Sequence, residues 1–185
     1  MSEYEYTYIV DLDEYIMPRY TTAARNKTDV LVSRALESIN SGQGKNVDNF
    51  LFRNTFFCSE FNKKVDYENN FDIFKILSRQ KSIWSPRLRA KMLVRTMTAI
   101  AVGHHSIFEF VDPVNSCNYP VPHQIAMLNH YRSCLDLNSG FMGLGEPVLS
   151  DDVEYDDTAL VHQYSINKSP ISIFIRQHIQ DSVSP

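Results

Sequence analysis

Hydrophobic and polar positions change period several times along the chain, and each change marks an element. Residues 4–10 (Tyr-Glu-Tyr-Thr-Tyr-Ile-Val) are aromatic and β-prone, which predicts a strand. They run into Asp11-Leu12-Asp13-Glu14 and then the apolar Tyr15-Ile16-Met17. Pro18 ends the element, because it offers no N–H to a ladder. The pattern is that of a buried strand with carboxylates at its C-terminal end. Val32, Ala35, Leu36 and Ile39 recur at helical spacing and predict a helix over 29–40, with Thr28 as N-cap. Residues 50–58 read as one strand, 62–70 as irregular and 71–79 as a short helix. Further strands are expected at 91–94, 106–111 and 124–131, with a proline-bearing loop at 112–122. Gly140, Gly143 and Gly145 mark a turn region, and the acidic 151–157 stretch reads as a solvated loop. Two helices, near 158–166 and 170–179, close the chain. Strands and helices alternate loosely, which favours an α/β or α+β class.

Composition narrows this. A chain of 185 residues has the size of a single domain, spanning 1–185, with one sizeable core. Hydrophobic residues at 43% against 22% charged exclude a disordered tail. The formal net charge of −4 argues against a nucleic-acid partner. No apolar run approaches the roughly 18 residues of a membrane span, and the polar, acidic N-terminus is not a signal peptide. Cys58, Cys117 and Cys134 are too few for a disulfide scaffold, and none forms a C-x-x-C pair. Three buried thiols is the simpler reading; one disulfide with one free thiol is the alternative in an oxidising compartment.

Three constellations bear chemistry. In an extended chain, residues two apart face the same side, so Asp11 and Asp13 are expected to converge at the strand end. Ligands bind at that location in open α/β sheets. A hard divalent cation, Mn²⁺ or Mg²⁺, would relieve the repulsion between the carboxylates and let an acidic pocket accept a diphosphate. The plain alternative is an acidic surface turn. The second set is His104, His105 and His130, any of which could complete a metal shell or serve as a hydrogen-bonded structural residue. His123, His162 and His178 are read as structural. The third set is Arg87, Arg89, Lys91 and Arg95 with Arg132, suited to a phosphate leaving group or to a solvated face. Serine-nucleophile elbows, Walker loops and dinucleotide fingerprints are absent.

Taken in order, these pieces resemble glycosyltransferase family 92. Tyr-Ile-Val-Asp11-Leu-Asp13-Glu14-Tyr-Ile-Met-Pro18-Arg19 is similar to the family's aspartate motif with its trailing proline. Lys91-Met-Leu-Val-Arg95 followed by Gly103-His104-His105 is similar to its lysine–arginine strand and downstream histidine, with Thr96 where family members show proline. Asn129-His130-Tyr131-Arg132 is similar to its His-Tyr-Arg signature. The resemblance spans residues 9–132 and, weakly, the tail.

It implies a GT-A-like fold, a mixed sheet flanked by helices. It also implies an inverting, metal-dependent transfer of a sugar (galactose) from a UDP-sugar to a glycan or glycoprotein acceptor. By resemblance, Asp11, Asp13 and one of His104 and His105 hold the metal, and Glu14, His130, Arg132, Lys91 and Arg95 lie with them at the donor. Glu60 and Glu109, each beside an expected strand, are the candidate bases. Family members reside in the Golgi on a single-pass anchor, and a GT-A domain carries nucleotide-binding strands before the aspartate motif. The chain is therefore expected to be the C-terminal part of such a domain, lacking those strands and the anchor. A non-catalytic remnant of such a transferase, with an exposed edge at residues 4–10, is one competing expectation. An unrelated interaction domain is the other.

Overall fold

A computed structural model describes residues 5–20, 27–39, 46–61, 73–134 and 152–162. The expectations for 62–70, for the glycine region, for 170–179, for His178 and for the end of the 158–166 helix lie outside them. Strands and a few helices mix in an α/β arrangement, as the alternation predicted. A four-stranded sheet has the order β1(Tyr6–Ile9)-β6(Lys91–Arg95)-β3(Asn46–Phe52)-β9(Ser116–Pro120). A three-stranded sheet has the order β2(Glu14–Pro18)-β10(Ala126–Arg132)-β4(Asn54–Cys58). Two ribbons complete the set, β11(Val153–Tyr155) with β5(Ser78–Gln80), and β7(Ala99–Val102) with β8(Ile107–Phe110). The β3–β9 and β4–β10 pairs are parallel and the remaining pairs antiparallel.

Several expectations are corrected by these pairings. The stretch 50–58 is two strands rather than one. Arg53 carries the chain from the first sheet to the second, its guanidinium donating to the carbonyls of Trp84 and Ile83 at 3.1 Å each. Likewise β1 and β2 are separate strands in different sheets, joined by a turn in which Glu14 N–H donates to Asp11 O at 3.2 Å. β1 is not buried: it pairs only with β6 among the described residues and is a half-exposed edge. The loop expected at 112–122 contains β9. Residues 73–75 form only a turn, and the run ends in β5 rather than in a helix.

Helix α1 (Lys27–Glu37) starts one residue before Thr28, so that residue is inside the helix, its hydroxyl 3.2 Å from Tyr8 Oη. The predicted apolar stripe holds in part. Leu31, Val32 and Ala35 bury against Phe50, Phe52, Leu93 and Leu128, while Leu36 is exposed. Burying each large aliphatic contributes about 1.5–3 kcal/mol. The short α3 (Thr158–Val161) follows Asp156, which is 6% exposed although it sits in the stretch read as solvated. Arg19 Nη1 (2.6 Å) and Arg79 Nε (2.8 Å) converge on its Oδ2. A second helix of four residues, α2 (Pro86–Arg89), has Ser85 as N-cap and precedes β6; numbered in chain order it lies between α1 and α3.

Three buried thiols are not what forms. Cys58 and Cys134 make a disulfide that joins the end of β4 to the segment just after β10, and Cys117 takes no part in a disulfide. His162 is structural as expected, its Nε2–H donating to Pro18 O at 2.9 Å.

Candidate functional site

The turn between β1 and β2 hands its carboxylates to Lys91 at the start of β6, to His104 between β7 and β8, and to His130 late in β10. Because the chain turns at Leu12 and Asp13, the period-two convergence of an extended strand does not apply. Asp11 and Asp13 take different partners. Asp11 Oδ2 accepts from Lys91 Nζ at 2.9 Å, and its Oδ1 lies 2.8 Å from His104 Nε2. Asp13 Oδ2 lies 3.1 Å from His130 Nε2. Glu14, almost wholly buried, joins the two halves. Its Oε2 accepts from Asp11 N–H at 2.9 Å and sits 3.4 Å from Lys91 Nζ, while Oε1 is 3.3 Å from His130 Nδ1.

Lys91 is fully buried, and its two carboxylates supply the counter-charge such a position requires. His104 Nε2 is also 2.8 Å from Lys91 Nζ. That nitrogen can serve one neighbour at a time: with its proton it donates to Asp11, without it it accepts from Lys91. Burial pushes the Asp11 carboxyl up, but the hydrogen bonds from His104 and Lys91 and the lysine charge outweigh it and hold the group below its usual range. Burial pushes His130 down, against the pull of Asp13 and Glu14, and so favours the neutral ring. Asn54 Nδ2 lies 3.2 Å from His130 Nδ1. A neutral ring that accepts there carries its proton on Nε2 and donates it to Asp13.

Arg132 and Arg89 approach the same region. The Arg89 guanidinium lies 5.3 Å from the ring centres of both Phe56 and Trp84. Burial and the neighbouring Arg132 charge lower its pKa, while Glu14 raises it. Arg132 donates Nε–H to Ser133 O at 3.0 Å.

Other expected residues fall elsewhere. His105 gives its Nδ1–H to Ala90 O at 2.9 Å, so of the doubled histidine it is His104 that meets Asp11. Arg95, at the opposite end of β6 from Lys91, pairs with Glu5 at 3.2 Å. Glu109 is exposed on β8, opposite Ala101. Glu60 clamps the disulfide loop, its carboxylate taking Ser133 Oγ–H at 2.5 Å and Cys134 N–H at 3.0 Å. Burial raises the Glu60 pKa, but these bonds outweigh it and leave a weak base. Among the described residues, the one trio of His, Cys, Asp or Glu whose ligand atoms share a point is Cys58, Glu60 and Cys134, and the disulfide removes both sulfurs as thiolate ligands. A cleft of about 370 Å³, lined by Arg19, Arg79, Lys81 and His123 among others, shares no lining residue with the carboxylate cluster.

Asn54, 1% exposed, is the partner that sequence reasoning missed. Its signal was the polar Arg53-Asn54-Thr55 inside the apolar run 50–58. Arg53 and Thr55 reach one way, to the backbone of 80–84, while Asn54 reaches the other, to His130.

Mixed sheets with carboxylates, a buried lysine and two histidines where the chain switches between sheets define an α/β protein with a polar, charge-dense site. The family model for glycosyltransferase family 92 matches residues 1–180, and the chain belongs to that family. It is thus a transferase of a family that moves a sugar from a donor to an acceptor. Members of the family are typically enzymes of the secretory pathway. A search of curated proteins finds no match to the chain. No helix among the described residues is long and apolar enough to cross a membrane.

Proposed function

We propose that the Asp11–Glu14 cluster is the donor site for an inverting, metal-dependent transfer of a sugar, galactose by family resemblance, from a UDP-sugar to a glycan acceptor. The observation that supports it is the gathering of Asp11, Asp13 and Glu14 against Lys91, His104 and His130, all at positions of the family motifs. Three carboxylates face one lysine and a histidine whose burial favours its neutral form, an excess of negative charge that suits a divalent cation. Asp11 and Asp13 are each about two-fifths exposed, so their oxygens are open to such an ion. As placed, Asp11, Asp13 and His104 do not bring their ligand atoms to one point. Were the Asp13 carboxylate to turn from His130 toward Asp11, the three would hold Mn²⁺ or Mg²⁺, which as a Lewis acid would stabilise the charge of a diphosphate leaving group.

The chain's own residues do the rest. Lys91 fixes Asp11 and Glu14. His130, held by Asn54, orients Asp13. Arg132 and Arg89 add positive charge beside them for phosphate oxygens. With Glu60 committed to the disulfide loop, Glu109 is the exposed carboxylate of the two candidates for deprotonating the acceptor hydroxyl. The Cys58–Cys134 disulfide supports an oxidising compartment, consistent with the secretory lumen and the Golgi.

The test is a thermal melt with UDP, with and without Mn²⁺. A ligand at 100 times its Kd adds about 2.7 kcal/mol. The expected result is a Mn²⁺-dependent rise in midpoint that Asp11→Ala and Asp13→Ala each remove. A cooperative melt that UDP and Mn²⁺ leave unmoved favours the second reading, a non-catalytic remnant. The separate partners of Asp11 and Asp13 are the observation on that side.

A further inference from the structure

The β7–β8 hairpin carries an apolar surface that faces solvent: Phe108 is 75% exposed, Ile100 60% and Val102 42%. Phe108 is nonetheless held in place. A Cβ built on Gly103 would lie 2.2 Å from Phe108 Cζ and 2.6 and 2.7 Å from Cε2 and Cε1. Equal distances alone would also fit a point in the ring plane beyond Cζ, but 2.6 and 2.7 Å are too short for that with Cζ at 2.2 Å, so the point lies over the ring face at its Cζ end. The Cζ end of one ring face therefore lies over Gly103, in space that any side chain would fill. Glycine is needed here for room. Shielding the glycine that follows β7 with an aromatic ring accounts for that one face; the high exposure shows that the rest of the ring is turned to solvent.

The position of this plate matters. Gly103 precedes His104, whose Nε2 is 2.8 Å from Asp11 Oδ1, so a single residue separates the ring's support from the carboxylate cluster. His105 follows. Its Nδ1–H is given to Ala90 O, which leaves Nε2 for another partner.

We propose that Phe108 is the stacking platform for a neutral sugar ring of the acceptor, an inference that rests on the glycosyltransfer reading above. One face of a pyranose is a sheet of C–H bonds with partial positive charge, which meets the negative face of an aromatic ring, while its hydroxyls turn outward to water and polar groups. A platform beside the donor site holds the acceptor hydroxyl within reach of the anomeric carbon and leaves donor binding untouched. Phe108 is thus a specificity-determining residue.

The probes are the methyl glycosides of β-galactose, α-fucose and β-N-acetylglucosamine, read by saturation-transfer NMR on the full chain, with a UDP melt on each variant. At least one glycoside should receive saturation at its ring C–H protons. Phe108→Ala and Gly103→Ala should weaken that binding roughly tenfold or more, on the scale of ring stacking elsewhere. Phe108→Trp should retain it, and the UDP response should be the same in all. Should either alanine variant fail to fold, the other and Phe108→Trp carry the comparison. The proposal is overturned if UDP binds and no glycoside does, or if glycoside binding is unchanged in Phe108→Ala. It also falls if Phe108→Ala turns a dimer into a monomer on a sizing column and leaves sugar binding intact, which would make the plate a protein contact. Phe108-dependent glycoside binding without any UDP response would keep the platform and remove the transfer reading.

Discussion

Lys91 Nζ, wholly buried at the start of β6, lies 2.9 Å from Oδ2 of Asp11, a residue 80 positions earlier in the chain. The same ammonium is 3.4 Å from Glu14, so one fixed cation organises both ends of the β1–β2 turn.

Breaking that arrangement leaves Glu14 buried beside an apolar group. Lys91→Met is expected to cost about 3–5 kcal/mol, measured by chemical denaturation. The double variant Lys91→Met/Glu14→Leu, which removes the buried charge as well as its partner, should recover much of the loss without restoring the UDP response. Equal stability of the single variant and the parent would refute the role given to Lys91.

The doubled histidine separates cleanly by experiment. His104→Ala should remove the Mn²⁺-dependent part of the UDP melt shift. His105→Ala should keep it and lose only the bond to Ala90 O, about 0.5–1.5 kcal/mol of stability. The reverse pattern would move the metal role to His105.

The Cys58–Cys134 disulfide closes a loop across 76 positions. Chain-entropy arithmetic gives about 4.5 kcal/mol for a loop of that length. That corresponds to a fall of roughly 9–18 °C in melting midpoint on reduction or in Cys58→Ser/Cys134→Ser. A midpoint indifferent to reductant would show that the bond does not constrain the chain.

Asp156 predicts an acid limb. Burial pushes its carboxyl up, but hydrogen bonds from Thr158 and the charge and hydrogen bond of Arg19 outweigh that and place it below 3.8. A lowered folded pKa means the stabilisation is complete above the unfolded value near 3.8 and is lost as pH falls through the lower, folded one. Asp156→Asn should cost about 3–5 kcal/mol at neutral pH, because Arg19 and Arg79 lose their shared counter-ion. Its stability should also fall less steeply below pH 4 than that of the parent. A variant with the parent's acid limb would assign that limb to other carboxylates, such as Glu60 and Asp11.

Local pattern was enough to place α1 and the β6, β8 and β10 strands, and to single out Asp11, Asp13, Lys91, the 104–105 histidine pair and His130 as candidates, because side-chain period and residue chemistry are properties of neighbours along the chain. It failed wherever a strand changed sheets. The run 50–58 is continuously β-prone, so nothing local distinguishes one long strand from two; the split follows from β9 pairing with β3 and β10 pairing with β4. The turn after β1 had the same effect on Asp11 and Asp13, which share a side only in an extended chain.

The order of motifs, the class of elements, the excess of carboxylates and the family resemblance were legible in the sequence by itself. Tertiary structure alone decided that Glu14 lies between Lys91 and His130, that Asn54 holds His130, that His104 rather than His105 meets Asp11, and that Cys58 pairs with Cys134. Each of these joins residues far apart in the chain or chooses between adjacent ones. Such choices depend on which backbone segments pack together and where their side chains then find a partner, and no local period encodes that.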